Sequence, residues 1–326
     1  MSQPIKAADA FAGVEDRGDG SQAFLDHVLD GLSQPQKVIS SKYLYDQRGS
    51  ELFDAICDLP EYYPTRTELA LFDSYGPEIA RLTGADATVV EFGSGASIKI
   101  RRVLQALVSP KAYVPTDISR EFLLEAAESV ARDYPDLPVT PVVADFTQPF
   151  TLPAGLDTPP VLGLFPGSTI GNFTPDEAFD FLETARKDLG NGAGFVIGVD
   201  LIKSEEVLHR AYNDAQGVTA EFNLNLLTRM NRELGSNFNV ERFSHRAIFN
   251  DEENRIEMHL ISREAQTVRV RGHSFDFKPG ESIRTEVSYK YGLEDFQGLA
   301  ADAGWDVAAS WTDERRLFSL HYLRAP

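Results

Sequence analysis

Val-Val-Glu-Phe-Gly-Ser-Gly-Ala-Ser-Ile-Lys, residues 89–99, decides how this chain is read. A short apolar strand ends in an acid, passes through Gly93 and Gly95, and opens a helix predicted to start at Ser97. Glycines at such a turn let backbone approach a ligand closely, and the free N–H groups of a helix start point at it. The third glycine of the dinucleotide pattern G-x-G-x-x-G is missing, which favours an S-adenosylmethionine pocket over a nicotinamide one. On its own the glycine pair equally fits an ordinary tight turn, and the strands after it in the chain decide between the two.

Ala112 to Asp117 reads as a second strand ending in an acid. Asp117 lies about twenty residues past Gly95, where a doubly wound fold sets a carboxylate on a ribose hydroxyl pair. Ser119 caps a helix whose Phe122, Leu123, Ala126, Ala127 and Val130 share one face. A third strand, Val139 to Ala144, ends in Asp145-Phe146, an acid to accept from an adenine amine beside a ring to cover the base. The fourth, Val161 to Phe165, runs into Pro-Gly-Ser-Thr-Ile-Gly-Asn-Phe (166–173), and Thr174, Pro175 and Glu177 supply the cap, first-turn proline and capping-box acid of the next helix. Four strands thus end in polar or glycine-rich turns on one edge, where open α/β sheets bind ligands.

The 326 residues are 42% hydrophobic and 25% charged, ordinary for a globular protein of one or two domains. A formal net charge of -19 repels phosphate-rich partners, so neither nucleic acid nor an anionic membrane is expected as a partner. The single cysteine, Cys57, excludes an intrachain disulfide and is expected as a buried small hydrophobe in a helix from Ser50 to Leu59. His27, His209, His245, His259, His273 and His321 show no metal-ligand spacing, so no metal is expected. No apolar run approaches the roughly 20 residues that span a bilayer, and the N-terminus has no signal-peptide core, so a cytoplasmic protein is expected.

Residues 1–20 are polar and Gly/Asp-rich and are expected to be disordered. Short helices joined by the loop Glu61-Tyr62-Tyr63-Pro64-Thr65-Arg66 come next. After a fifth strand, Phe195 to Leu201, helices are predicted over 204–215 and 218–234, then strands with hairpin turns at Asn250-Asp251 and Pro279-Gly280. This change of pattern implies a second, discontinuous α+β domain of residues 21–67 and 203–326, forming a lid over the ligand edge of the α/β domain, residues 68–202. In the strand 282–291 a period of two sets Glu286 and Ser288 on one face, Thr285 and Val287 on the other. A carboxylate beside a hydroxyl suits the two nitrogens of an imidazole, although the same alternation fits a polar row facing solvent on an edge strand.

Five segments carry a specific likeness: Tyr-Leu-Tyr-Asp-Gln-Arg-Gly-Ser-Glu-Leu-Phe (43–53), Leu-Pro-Glu-Tyr-Tyr-Pro-Thr-Arg-Thr-Glu (59–68), Phe-Pro-Gly-Ser-Thr-Ile-Gly-Asn-Phe (165–173), Ala-Tyr-Asn-Asp (211–214) and Arg-Thr-Glu-Val-Ser (284–288). The chain resembles the histidine-specific methyltransferase family of ergothioneine biosynthesis from about residue 20 to its end. The resemblance implies a Rossmann-like class I SAM-dependent methyltransferase domain with a substrate-binding domain. It implies three methyl transfers from S-adenosylmethionine to the α-amine of L-histidine and its mono- and dimethylated forms, giving hercynine. Carried onto this sequence, it makes Gly93, Lys99, Asp117, Asp145 and Phe146 the S-adenosylmethionine contacts, to which the glycine turn adds Gly95. Tyr62, Asn172 and Tyr212 become amino-acid backbone contacts, Glu286 and Ser288 imidazole contacts, Tyr45 a tyrosine near the reacting amine and Met258 a position lining the side-chain pocket. Tyr45 and Asn172 are the expected catalytic pair, and a monomer is expected.

Three other readings stay in view. An oxidoreductase on the same scaffold is disfavoured by the missing glycine and by Asp145-Phe146, and a silent binding module by the intact contact set. A tryptophan-like acceptor is disfavoured by Glu286, which suits polar imidazole over apolar indole.

Overall fold

The computed structural model describes residues 20–95 and 98–326; the expected helix start at Ser97 and, apart from Gly20, the expected disorder over 1–20 lie outside these. In chain order α1 (Gly20–Ser33), β1 (Lys37–Val38), α2 (Gln47–Cys57) and α3 (Tyr63–Thr83) come first. Next are β2 (Thr88–Phe92), α4 (Ile98–Ala106), β3 (Ala112–Asp117), α5 (Arg120–Asp133), β4 (Val142–Val143), β5 (Val161–Phe165), α6 (Pro175–Leu189) and β6 (Gly194–Asp200). Then come α7 (Glu205–Tyr212), α8 (Val218–Leu234), β7 (Phe243–Asn250), β8 (Arg255–Ser262), β9 (Gln266–Val270), β10 (His273–Phe277) and β11 (Ser282–Tyr289). The chain ends with α9 (Leu293–Asp302), β12 (Asp306–Thr312) and β13 (Phe318–Arg324). Two compact units result, one of residues 66–201 and 291–326, the other of 20–65 and 202–290.

The first unit is built on a seven-stranded sheet of order β12-β13-β6-β5-β2-β3-β4. β4, β3, β2, β5 and β6 run parallel, and β13 and β12 add antiparallel on the β6 side. β2 and β5 are buried at every residue because helices cover both faces, which is why they read as unbroken apolar runs. Val90 enters a cluster with Phe92, Phe165, Phe181, Phe195, Phe296 and Trp305, and its neighbour Val89 one with Leu71, Ile100, Leu104 and Trp311. α6 begins with the capping box expected at Thr174 and Glu177. The chain passes from β2 to β3 on one side and later to β5 on the other, so the sheet's switch point lies at the C-terminal end of β2, at the glycine turn.

Two expectations for this unit are corrected. Residues 291–326, expected in the substrate domain, belong here, because β13 pairs with β6 over its whole length. The expected strand Val139 to Ala144 shrinks to Val142–Val143, with Val139 keeping only an isolated bridge to Tyr113. Pro138 and Pro141 lack the N–H groups a ladder needs, which confines this segment to a broken edge strand.

His321, on β13, has no exposed surface; its ring lies 2.9 Å from the hydroxyls of Ser310 and Ser319 and against Phe296. Burial pushes it down to about 3. An unfolded histidine titrates near about 6.5, so between these values the unfolded chain holds a proton the folded one lacks, and the stability His321 confers falls with pH across that window. In urea titrations the stability of wild type minus that of His321→Asn is expected to fall by about 1.4 kcal/mol per pH unit between roughly pH 6 and 4. A pH-independent difference refutes this.

The second unit holds a four-stranded sheet, β1-β11-β8-β7, and a separate β9-β10 hairpin. β11 lies between β1, which it pairs in parallel, and β8, so the reading of its polar residues as a solvent row on an edge strand is excluded. α2 packs on α8, and Asp46 caps α2 through the Gly49 N–H at 2.8 Å while pairing with Arg232 and Asn225. Tyr63 to Arg66, expected as loop, form the first turn of α3, where Pro64 needs no N–H donor. The turn at Pro279-Gly280 is no hairpin, since it joins β10 of one sheet to β11 of the other; the hairpin turn is Arg271-Gly272, both left-handed at φ 48° and 89°. Cys57, at the end of α2, is half-buried and not the buried hydrophobe expected.

Candidate active site

In the first unit the ligand edge is assembled from strand ends. After β2 the chain turns at Gly93, whose φ of +74° and whose approach to Phe146, where an added Cβ would sit 3.4 Å from the ring, both call for glycine. Gly93 and Ser94 donate to the Thr116 carbonyl at 2.9 and 3.1 Å, which ties the turn to the end of β3. Asp117, the next residue, accepts from the Ser119 N–H at 2.8 Å, and burial raises its carboxyl to about 6. Asp145 accepts from the Thr147 N–H and hydroxyl at 3.0 and 2.6 Å, and the Phe146 ring packs edgewise on Phe165 and Phe181. Asp117 therefore closes β3, and Gly93, Gly95, Asp145 and Phe146 lie just past the ends of the neighbouring strands β2 and β4.

Lys99 is engaged otherwise than as a solitary ligand contact. Its ammonium lies 2.7 Å from the carboxylate of Glu68, which is fully buried and also accepts from the Gly167 N–H at 2.9 and 3.0 Å. Glu68 escaped the sequence reading, although it closes the quoted segment 59–68; its partner Gly167 is 99 residues away. Gly198 leaves room for it, since a Cβ there would sit 2.1 Å from the Glu68 carboxylate. Behind the glycine turn Glu91 is buried, accepts from the Tyr113 hydroxyl and is raised to about 7 by burial. Asn172, half-buried, ends the short helical turn Thr169–Asn172 between β5 and α6.

In the second unit an aromatic series runs from Tyr45, set edgewise on Phe53 and Phe222, through Phe53 and Tyr62 to Tyr212, with successive centroids 5.5–6.3 Å apart. Burial holds the Tyr62 phenol well above its ordinary value, with Tyr212 adding to it; burial and then Glu286 do the same to Tyr45. β11 carries Glu286 and Ser288, 9% and 4% exposed, on one face. The register shifts between Arg284 and Glu286, so Thr285 is a bulge and not a residue of a strict alternation. Thr285 turns its hydroxyl to Asn223 at 2.6 Å and to the Met258 carbonyl at 3.1 Å. Met258 lies directly opposite Glu286 on β8 and shares its face.

The Tyr212 hydroxyl donates to Ser288 at 3.0 Å, and buried Lys290 donates to Ser288 at 2.7 Å and to Tyr212 at 3.1 Å. Among the described residues nothing hydrogen-bonds the Glu286 carboxylate, which burial raises to about 7 against the pull of Lys290. Tyr212 itself is fixed from three sides. Asn213 pairs both amide groups with the Ala247 backbone, Asp214 caps α8 through the N–H groups of Thr219 and Val218, and His245 donates to the Tyr212 carbonyl at 2.9 Å. Burial lowers His245; the Asn223 amide donates to its other nitrogen, so the neutral ring carries its proton towards Tyr212. Asn223, His245 and Lys290 were missed in the sequence reading. Only Lys290 had a signal there, since it continues the period of two through Glu286 and Ser288.

A parallel sheet with a glycine turn at its switch point and an antiparallel hairpin at one edge defines the first unit as a Rossmann-like methyltransferase domain. The described residues contain no helix long and apolar enough to cross a membrane and no group of three or more side chains suited to a metal. The pattern of the family described as "Histidine-specific methyltransferase, SAM-dependent" matches residues 24–325, and the chain belongs to that family. It is 40% identical to the histidine N-alpha-methyltransferase of Mycolicibacterium smegmatis over 92% of this chain and 94% of that one. Its identity to the Mycobacterium tuberculosis enzyme of the same name is also 40%, with the same coverage. The L-tryptophan methyltransferase of Psilocybe serbica is 26% identical over 91% of this chain and 92% of that one.

Proposed function

We propose that this protein transfers three methyl groups from S-adenosylmethionine to the α-amine of L-histidine, giving hercynine, a step of ergothioneine biosynthesis. The observation that carries this is Glu286, a buried carboxylate without a hydrogen-bonding partner among the described residues, on one face with Ser288 and surrounded by phenols. Buried polar groups are paired in native proteins, so this one calls for a ligand that donates, as an imidazole N–H does and an apolar side chain does not.

The residues present fit the methyl donor. Gly93 keeps a side chain off the Phe146 ring, Asp145 immediately precedes that ring in the chain, and Asp117 offers a carboxylate to a ribose hydroxyl pair. Bound there, S-adenosylmethionine supplies an electrophilic methyl whose displacement needs neither metal nor covalent enzyme intermediate. The protein's task is alignment and exclusion of water, and positioning alone contributes up to about 7–11 kcal/mol. Tyr62, Asn172 and Tyr212 hold the amino-acid backbone and Tyr45 with Asn172 orients the nitrogen. Tyr212 also donates to Ser288, so one group assigned to the backbone is hydrogen-bonded to one assigned to the ring. The amine must shed its proton; α-amines in model peptides titrate near about 8 and the free carboxylate of an amino acid raises this, so a minor neutral fraction forms by loss to water without a strong base.

Incubation with S-adenosylmethionine and a mixture of the twenty amino acids tests the reading. The expected product is histidine heavier by three methyl groups; modification of tryptophan in preference to histidine refutes it.

A further inference from the structure

We propose that Lys290 is a positioning residue that fixes the direction of the Ser288 hydroxyl, so that Ser288 donates, Glu286 accepts, and the pocket takes a neutral imidazole in a single tautomer. The inference rests on the proposed histidine specificity and deepens it.

An ammonium has donors and no acceptor, whereas a serine hydroxyl has one hydrogen and two lone pairs. Lys290, 3% exposed, donates to Ser288 at 2.7 Å, and the Tyr212 hydroxyl donates to Ser288 at 3.0 Å, so both lone pairs are used. Lys290 also donates to Tyr212 at 3.1 Å, so Tyr212 accepts from Lys290 while it donates to Ser288. Both bonds to Ser288 therefore have it as acceptor, and its own hydrogen is directed outward. On the same face Glu286, when ionised, can only accept. A ligand lying against both must present one N–H and one bare ring nitrogen. Neutral imidazole does so in one of its two tautomers, whereas imidazolium would set an N–H against the hydrogen of Ser288.

Lys290 has a second effect on the pair. Its charge favours the Glu286 carboxylate against the burial that raises it. Among the described residues Tyr45 and Tyr62 feel the Glu286 charge, and Tyr212 and Cys57 in turn act on those two phenols. Tyr45 and Tyr62 are held well above their ordinary value, so they stay neutral while Glu286 titrates. Removing Lys290 thus frees the Ser288 hydroxyl to rotate and moves the ionisation of Glu286 to higher pH.

The test measures kcat and KM for histidine between pH 5.5 and 9 in the full-length protein, for wild type, Lys290→Met and Lys290→Arg. Loss of one oriented hydrogen bond is expected to raise the KM of Lys290→Met about tenfold with kcat nearly unchanged. The acid limb of kcat/KM moves to higher pH in Lys290→Met and returns towards wild type in Lys290→Arg. Should Lys290→Met fold poorly, Ser288→Ala gives the second measure: it raises KM comparably, and adding Lys290→Arg to it changes KM no further. Turnover of histidine with an unaltered KM and acid limb in Lys290→Met overturns this inference alone, as does a fall in kcat with KM unchanged. Absence of histidine turnover by wild type overturns the proposed function as well.

Discussion

Glu286→Ala is expected to lower kcat/KM for histidine by about 30- to 150-fold, the equivalent of losing a charge-assisted hydrogen bond of about 2–3 kcal/mol. The loss falls on the acceptor, so affinity for the methyl donor, measured by calorimetry, stays within about twofold of wild type, since Glu286 is not among the residues assigned to the donor. A companion substitution separates binding from folding. The Glu286 carboxyl is raised to about 7, and a group raised in the folded state contributes stability that is full below its unfolded value and lost as pH rises through the folded one. Glu286→Gln removes that loss, so relative to wild type it gains up to about 3 kcal/mol on going from pH 4.5 to 8. Wild-type kcat/KM in Glu286→Ala refutes the assignment; a constant stability difference from pH 4.5 to 8 refutes the claim that the carboxylate is held at a folding cost.

The α/β unit was legible wherever burial on both faces writes itself as an apolar run. Ala112 to Asp117 and Val161 to Phe165 were read at their observed bounds, and Thr174 with Glu177 carried its own start signal through the capping box. The C-terminal hairpin was not legible in its placement. β12 and β13 show strand composition, but nothing local says that β13 pairs with β6, more than a hundred residues earlier, and not with the antiparallel sheet just before it. The site divides the same way. Period two was enough to bring Glu286 and Ser288 to one face, while the bulge at Thr285 depends on Asn223, 62 residues back, and stayed hidden. Asp214 and Asn213 lay inside a recognised segment, yet their work of fixing Tyr212 is seen only in their bonds to α8 and Ala247. Residues assigned to ligand announce themselves by type and spacing; residues that hold them in place do so through partners remote in sequence.

Lys99→Met puts that distinction to the sharpest test. If Lys99 serves only as a contact for the methyl donor, its loss weakens binding and leaves the unliganded protein as stable as before. The structure makes it the partner of a carboxylate with no exposed surface, and removing one member of a buried pair leaves an uncompensated charge at a cost of about 3–5 kcal/mol. For a protein of this size that corresponds to a fall in Tm of about 6–20 °C in the absence of any ligand, since each kcal/mol moves Tm by about 2–4 °C. Glu68→Gln in the same chain removes the charge while keeping an oxygen for the Gly167 N–H, so the double variant is expected to recover most of the loss. Gly167 stands at the end of β5 with φ +84°, in the turn that leads to Asn172, and Glu68 is what holds its N–H. Recovery of Tm in the double variant would therefore assign Lys99 to building this edge through Glu68, and an unliganded Lys99→Met protein with wild-type Tm would return it to the ligand alone.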